Sequence, residues 1–219
     1  MAHNQPELAT TDEVATVGNI SLVRVGGVCA ILAVVSGTMA RIAFGNEWLQ
    51  SRGVDTLITG HWFDTLGLLL LIPAALGFRH ALRQAGPLLL IAVVAFLTGG
   101  IVLLFREFIL LGIAYELVPG ISDALRQTGW LVAGVGAVLI FIIGVLLFSF
   151  AILRTSVVPK WTGWLGVIAA LGFCLMALLP LVFSMATPWF LARVFSVWLV
   201  AMGVVLLRLK EPVAPDSVA

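Results

Sequence analysis

Charged residues are absent from Pro87 to Phe105, nineteen positions in a row, and after Arg106 and Glu107 the apolar character resumes as far as Tyr115. A run that long exceeds what a soluble core helix needs and matches the ~20 residues that cross ~30 Å of hydrocarbon. Similar runs stand on either side of it. Together they predict helices at about 22–44, 62–82, 87–113, 130–153, 161–183 and 189–207, with polar tails at 1–21 and 209–219. The fold class expected from this pattern is all-α: a polytopic membrane protein with six transmembrane helices in a bundle. Pro73 falls inside the second run, where neighbouring helices in a bundle can satisfy the carbonyl it frees and a kink is expected. Polar or helix-breaking stretches separate the runs, the longest from Gly45 to Gly60, another at Val118-Pro119-Gly120.

Lys and Arg are distributed unevenly between the two sets of helix ends. Arg24, Arg79, Arg83, Arg154, Lys160, Arg208 and Lys210 mark one set, whereas the loops at the other carry only Arg52 and Arg126. The bias places the rich side, and with it both termini, in the cytoplasm. Tryptophans give the same two levels, Trp48, Trp62, Trp130 and Trp189 outside and Trp161 and Trp164 inside, with Trp198 deeper and suited to packing. Small residues mark close helix approaches, because helices in lipid associate by packing rather than by the hydrophobic effect. Gly26, Gly27, Ala30 and Ala33 lie in the first helix, Gly99 and Gly100 in the third, Gly134 and Gly136 in the fourth, and Gly163 and Gly166 in the fifth.

Composition narrows the function classes. The 219 residues are 61% hydrophobic and 11% charged, with a net charge of +1, so no global field recruits nucleic acid. The start of the chain carries Glu7, Asp12 and Glu13 before its first Arg or Lys, the reverse of a secretory signal, and reads as a retained polar tail. Cys29 and Cys174 both sit in apolar runs and read as small buried hydrophobes. Metalloprotease, nucleophile-elbow and nucleotide-loop motifs are absent, as is any metal-ligand spacing, so neither a cofactor nor a metal is expected. No acid stands at mid-membrane, where ion pumps carry theirs.

Two stretches resemble a large family of small bacterial six-helix integral membrane proteins known only as a domain of unknown function. One is Arg24-Val25-Gly26-Gly27 at the start of the first helix; the other is Val158-Pro159-Lys160-Trp161-Thr162-Gly163-Trp164-Leu165-Gly166. The resemblance implies a bacterial inner-membrane protein and transfers no catalytic residue. Physically, the second stretch is an anchor: Pro159 suits a helix start, Lys160 reaches lipid phosphate, and two tryptophans share a face at headgroup level.

Candidate chemistry gathers at the outer ends. At 1.5 Å per residue, Arg41 lies about 28 Å along the first helix and Arg106 about 28 Å along the third, both near the outer boundary. His61, Asp64, Glu107 and Arg193 fall at the same level. His61 and Asp64 are three apart, a spacing that lets a carboxylate orient an imidazole and makes them the weak catalytic candidates. Arg106 and Glu107 are adjacent and diverge by about 100° around the helix, so each is expected to pair elsewhere, Arg106 with Asp64 and Glu107 with Arg41 or Arg193. Arg41, Arg106, Glu107 and Arg193 are the candidate ligand-binding set. At the other end, Arg79, Arg83, Arg154 and Lys160 suit anionic lipid headgroups. Two functions remain: a non-catalytic accessory or small-ligand-binding protein, with a membrane-protein partner or a second copy, or a membrane enzyme or carrier acting on a lipid or small anionic amphiphile at the outer leaflet.

Overall fold

The computed structural model describes residues 11–44, 46–114, 122–183 and 190–209. The ends of both polar tails, the Val118-Pro119-Gly120 break and Trp189 lie outside the described residues, and the side chains of Arg126 and Trp130 are not described. Everything described is helix or short connection. The helices are α1 (Thr11–Ala43), α2 (Glu47–Ser51), α3 (Thr56–Ala81), α4 (Pro87–Ala114), α5 (Ser122–Ala137), α6 (Val145–Arg154), α7 (Lys160–Phe183) and α8 (Phe190–Arg208). A π-helical segment, Val138–Gly144, joins α5 to α6 in one continuous rod.

Among the described residues, four helical stretches are long and apolar enough to cross a membrane: Leu22–Ala43, Thr56–Ala81, Pro87–Gly112 and Gln127–Arg154; Lys160–Met176 is a shorter apolar helix. Their outer faces are as apolar as the interior. Along α4, Leu89, Ala92, Val93 and Phe96 are buried while Leu90, Ile91, Val94 and Ile101 point outward, Ile101 at 62% exposure. Water would penalise such a face at about 25 cal/mol per Å² of apolar surface, whereas hydrocarbon does not. The chain is therefore a helical membrane protein.

Neighbouring helices run antiparallel, and the close contacts give the register. A Cβ on Gly26 would stand 2.6 Å from the Gly77 Cα, and one on Gly67 would stand 3.3 Å from the Ala33 carbonyl, so early α1 meets late α3 and later α1 meets early α3. Gly99 meets Ile140 and Gly136 meets Leu103; Gly163 meets Leu153 and Gly166 meets Ser149; Gly27 meets Gly203. Around the bundle, α1 packs on α3 and α8, α3 on α4, α4 on the α5–α6 rod, the rod on α7, and α7 on α8, which closes a ring. Arg79, Arg83, Arg154, Lys160 and Arg208 consequently stand at one end of the bundle, and Arg41, His61, Glu107 and Arg193 at the other. Of the expected small-residue contacts, Gly100 and Gly134 make none: nothing lies within 4 Å of a Cβ at either.

The interior is held by aromatic edges. Phe148 receives Phe78 and Phe96, each with ring centroids 5.7 Å apart, and Phe78 also meets Trp198 at 6.0 Å. Trp198 is fully buried, a packing residue as its depth suggests, whereas Trp48, Trp62, Trp161 and Trp164 are exposed.

Three helix starts differ from the sequence expectation: α5 begins at Ser122 rather than near Trp130, and α1 and α3 also begin early. Helix α1 starts at Thr11, inside the segment expected as a polar tail; from there to Ser21 the chain holds no proline and one glycine, Gly18, so nothing stops the helix from extending outward. Helix α3 starts at Thr56 rather than near Trp62, because Asp55 caps it, its Oδ1 accepting from the Ile58 N–H at 3.0 Å. Gln50 Nε2 donates to Thr56 Oγ1 at 3.1 Å and ties α2 to that start.

Candidate functional site

The polar residues at the end of the bundle that holds Arg41, His61, Glu107 and Arg193 sort into two groups, one sealed and one open. The sealed group joins α3 to α4. Glu107 is 2% exposed and His61 6%, and the His61 Nδ1–H donates to Glu107 Oε2 at 2.7 Å. The other carboxylate oxygen, Oε1, accepts from Arg106 Nη1. Phe44 closes over the imidazole edge-on, with centroids 5.1 Å apart and planes at 74°. Gly60 makes room for that ring, since a Cβ there would stand 2.5 Å from Phe44 Cε1. Thr65 Oγ1 donates back to the His61 carbonyl at 2.8 Å. In lipid no water replaces a lost partner, so the carboxylate, the imidazole and the guanidinium depend on one another.

Four sequence expectations are corrected here. Arg106 and Glu107 do pair with each other: their Cα–Cβ bonds diverge, but the arginine stem is long and flexible enough to carry Nη1 round to the neighbouring carboxylate. Glu107 takes His61 rather than Arg41 or Arg193, and Arg106 does not pair with Asp64. The carboxylate that orients the imidazole belongs to Glu107, on a different helix, so His61 and Asp64 form no acid–base dyad.

The open group lines a cleft of about 810 Å³ between α1, α3, the π segment, α7 and α8. Arg41, Asp64 and Arg193 supply its charge. Apolar walls come from Leu68, Leu71, Leu199 and three phenylalanines, Phe141, Phe173 and Phe195. Phe141 stacks on Phe173 at 4.1 Å with planes at 13°, and its ring meets Phe195 edge-on at 4.6 Å. The π segment carries Phe141: Val145 N–H reaches back five residues to the Ile140 carbonyl, and the wider turn shifts the angular position of every residue beyond it. Gly37 leaves the α1 wall open, with nothing within 4 Å of a Cβ there.

Among the described residues, Arg41, Asp64 and Arg193 make no hydrogen bond and no ion pair; the charged neighbours of Asp64 are Glu107, Arg106, His61 and Arg41. Two guanidinium groups against one carboxylate leave the cleft with one positive charge in excess. Its volume falls within the ~300–1,000 Å³ of small-molecule sites. A guanidinium presents a planar fork of donors that matches a carboxylate or phosphate, while the phenylalanine walls suit an alkyl chain. Of the expected ligand-binding set, then, Arg41 and Arg193 come together, Arg106 and Glu107 belong to the sealed group, and Asp64 joins the cleft.

No three His, Cys, Asp or Glu side chains converge as metal ligands among the described residues. Fold and cleft together define a helical membrane protein with an amphipathic cavity toward the end of the bundle opposite Arg79, Arg83 and Arg154. No protein-family model, no curated protein sequence and no solved structure matches the chain.

Proposed function

We propose that this chain is a six-span protein of the bacterial cytoplasmic membrane, both termini cytoplasmic, that binds one anionic amphiphile from the outer leaflet. The observation that carries the reading is the meeting of Arg41 from α1 and Arg193 from α8 in a single apolar cleft with one carboxylate. The anionic head lies between the two guanidinium groups and the chain runs along the wall that Phe141, Phe173 and Phe195 form. Six spans and their orientation are supported by the Lys and Arg bias of the helix ends, and the bacterial setting by the resemblance at Arg24–Gly27 and Val158–Gly166. Binding is favoured over acid–base turnover because His61, the one imidazole among the described residues of that end, is committed to Glu107 and covered by Phe44.

The test is dodecyl phosphate titrated calorimetrically into protein purified in a neutral detergent. A hydrogen bond to a charged group contributes ~1.5–3 kcal/mol, so Arg41→Gln and Arg193→Gln each weaken binding about tenfold or more, and dodecyltrimethylammonium does not bind. Equal binding of the cationic amphiphile, or affinity unchanged in both variants, contradicts the reading.

A further inference from the structure

A second cleft stands at the opposite end of the bundle and does not depend on the first. It measures about 530 Å³ and lies where α3 ends and α4 begins, lined by Leu22, Leu76, Arg79, His80, Arg83, Gly86, Pro87, Leu89 and Leu90. The local chain path explains the clustering. Helix α3 ends at Ala81, a 3-10 turn over Arg83–Ala85 follows, and Gly86, at φ +71°, reverses the chain into α4. An L-residue other than glycine resists that backbone conformation. The 3-10 turn keeps Arg83 on the same cleft as Arg79, and the reversal brings the positive end of the α4 dipole, at Pro87, to that cleft as well.

Among the described residues no Asp or Glu lines this cleft, and Arg79, His80 and Arg83 form no ion pair. Two guanidinium groups, an imidazole and a helix N-terminus thus share one concavity with no counter-charge among the described residues. Directly beside them Leu22 and Leu90 are exposed on the outer surface of the bundle. Cationic and outward-facing apolar groups adjoin here as phosphate and acyl chain adjoin in a phospholipid, and basic pockets between transmembrane helices on the cytoplasmic side bind such headgroups. Arg154 and Lys160 stand at the same end, yet neither lines the cleft; they contribute a diffuse field.

We propose that this cleft holds the headgroup of one anionic phospholipid, its phosphate between Arg79 and Arg83 and an acyl chain against Leu22 and Leu90. Native mass spectrometry of the full chain tests the assignment, with palmitoyl-oleoyl phosphatidylglycerol, the phosphatidylcholine of the same chains, and inorganic phosphate as probes. The expected result is a one-to-one phosphatidylglycerol adduct that phosphatidylcholine does not replace. Arg79→Gln with Arg83→Gln weakens it about tenfold or more, at roughly 1 kcal/mol per basic residue. Arg154→Gln leaves it unchanged, and Arg79→Lys with Arg83→Lys, which preserves charge, retains it. Equal loss with Arg154→Gln, equal binding of phosphatidylcholine, or loss in the lysine pair overturns the proposal. Displacement of the lipid by equimolar inorganic phosphate also overturns it, by making this a site for a free anion.

Discussion

At the scale of single residues, Glu107 carries the most consequence. Its two oxygens take the His61 imidazole and the Arg106 guanidinium, and the Arg106 Nε is already buried without a partner. Removing one member of a buried charged group costs about 3–5 kcal/mol, because the others are left uncompensated. Glu107→Ala is expected to lower stability by that amount in a detergent-denaturation titration, whereas Arg41→Ala, on an exposed side chain outside the network, changes it by about 0–1 kcal/mol. Equal costs would mean that the sealed group contributes nothing special to the fold. The sequence announces that Arg41, His61, Asp64, Arg106, Glu107 and Arg193 share a level, since depth follows from helical rise alone. Which of them meet depends on how α3 and α4 are rotated against each other, and rotation leaves no trace in a uniformly apolar sequence. Phe141, Phe173 and Phe195 were illegible for the same reason: nothing in spacing or composition sets them apart from the phenylalanines that face lipid.

Elements are positioned by what their glycines touch. Gly77 in α3 and Gly26 in α1 bring two backbones together so closely that a Cβ on Gly77 would stand 2.7 Å from the Gly26 Cα. Lacking a hydrophobic drive in lipid, the helix pair depends on that fit. Gly77→Val therefore separates α1 from α3 and costs about 1–3 kcal/mol, read in the same detergent titration. Gly134→Ala, where nothing lies within 4 Å, is neutral or gains up to about 1 kcal/mol of helix propensity. A Gly134 variant as damaging as the Gly77 variant would refute this helix register. Helix positions were legible because apolar length is a direct consequence of bilayer thickness. Helix starts were less so: α3 gains its first turn from one side chain, Asp55, inside a loop that composition alone reads as polar. The π segment over Val138–Gly144 was not legible at all, being seven apolar residues in an apolar helix, yet it sets the placement of Phe141 in the cleft.

The whole molecule has two chemically different ends. One gathers Arg79, Arg83, Arg154, Lys160 and Arg208 with the exposed Trp161 and Trp164; the other gathers the sealed network and the Arg41–Asp64–Arg193 cleft under Trp48 and Trp62. If the basic end is cytoplasmic, the cleft opens outward and takes its ligand from the outer leaflet. Ser196 lines that cleft, while Ser156 is exposed between α6 and α7 at the basic end. With Cys29 and Cys174 replaced by serine, Ser196→Cys and Ser156→Cys are each exposed to a membrane-impermeant maleimide in intact spheroplasts. Ser196→Cys is expected to be labelled from outside and protected by dodecyl phosphate but not by dodecyltrimethylammonium, while Ser156→Cys reacts only after the membrane is opened. Labelling of position 196 only after permeabilisation, or labelling that dodecyl phosphate leaves untouched, contradicts an outward-facing cleft for an anionic amphiphile.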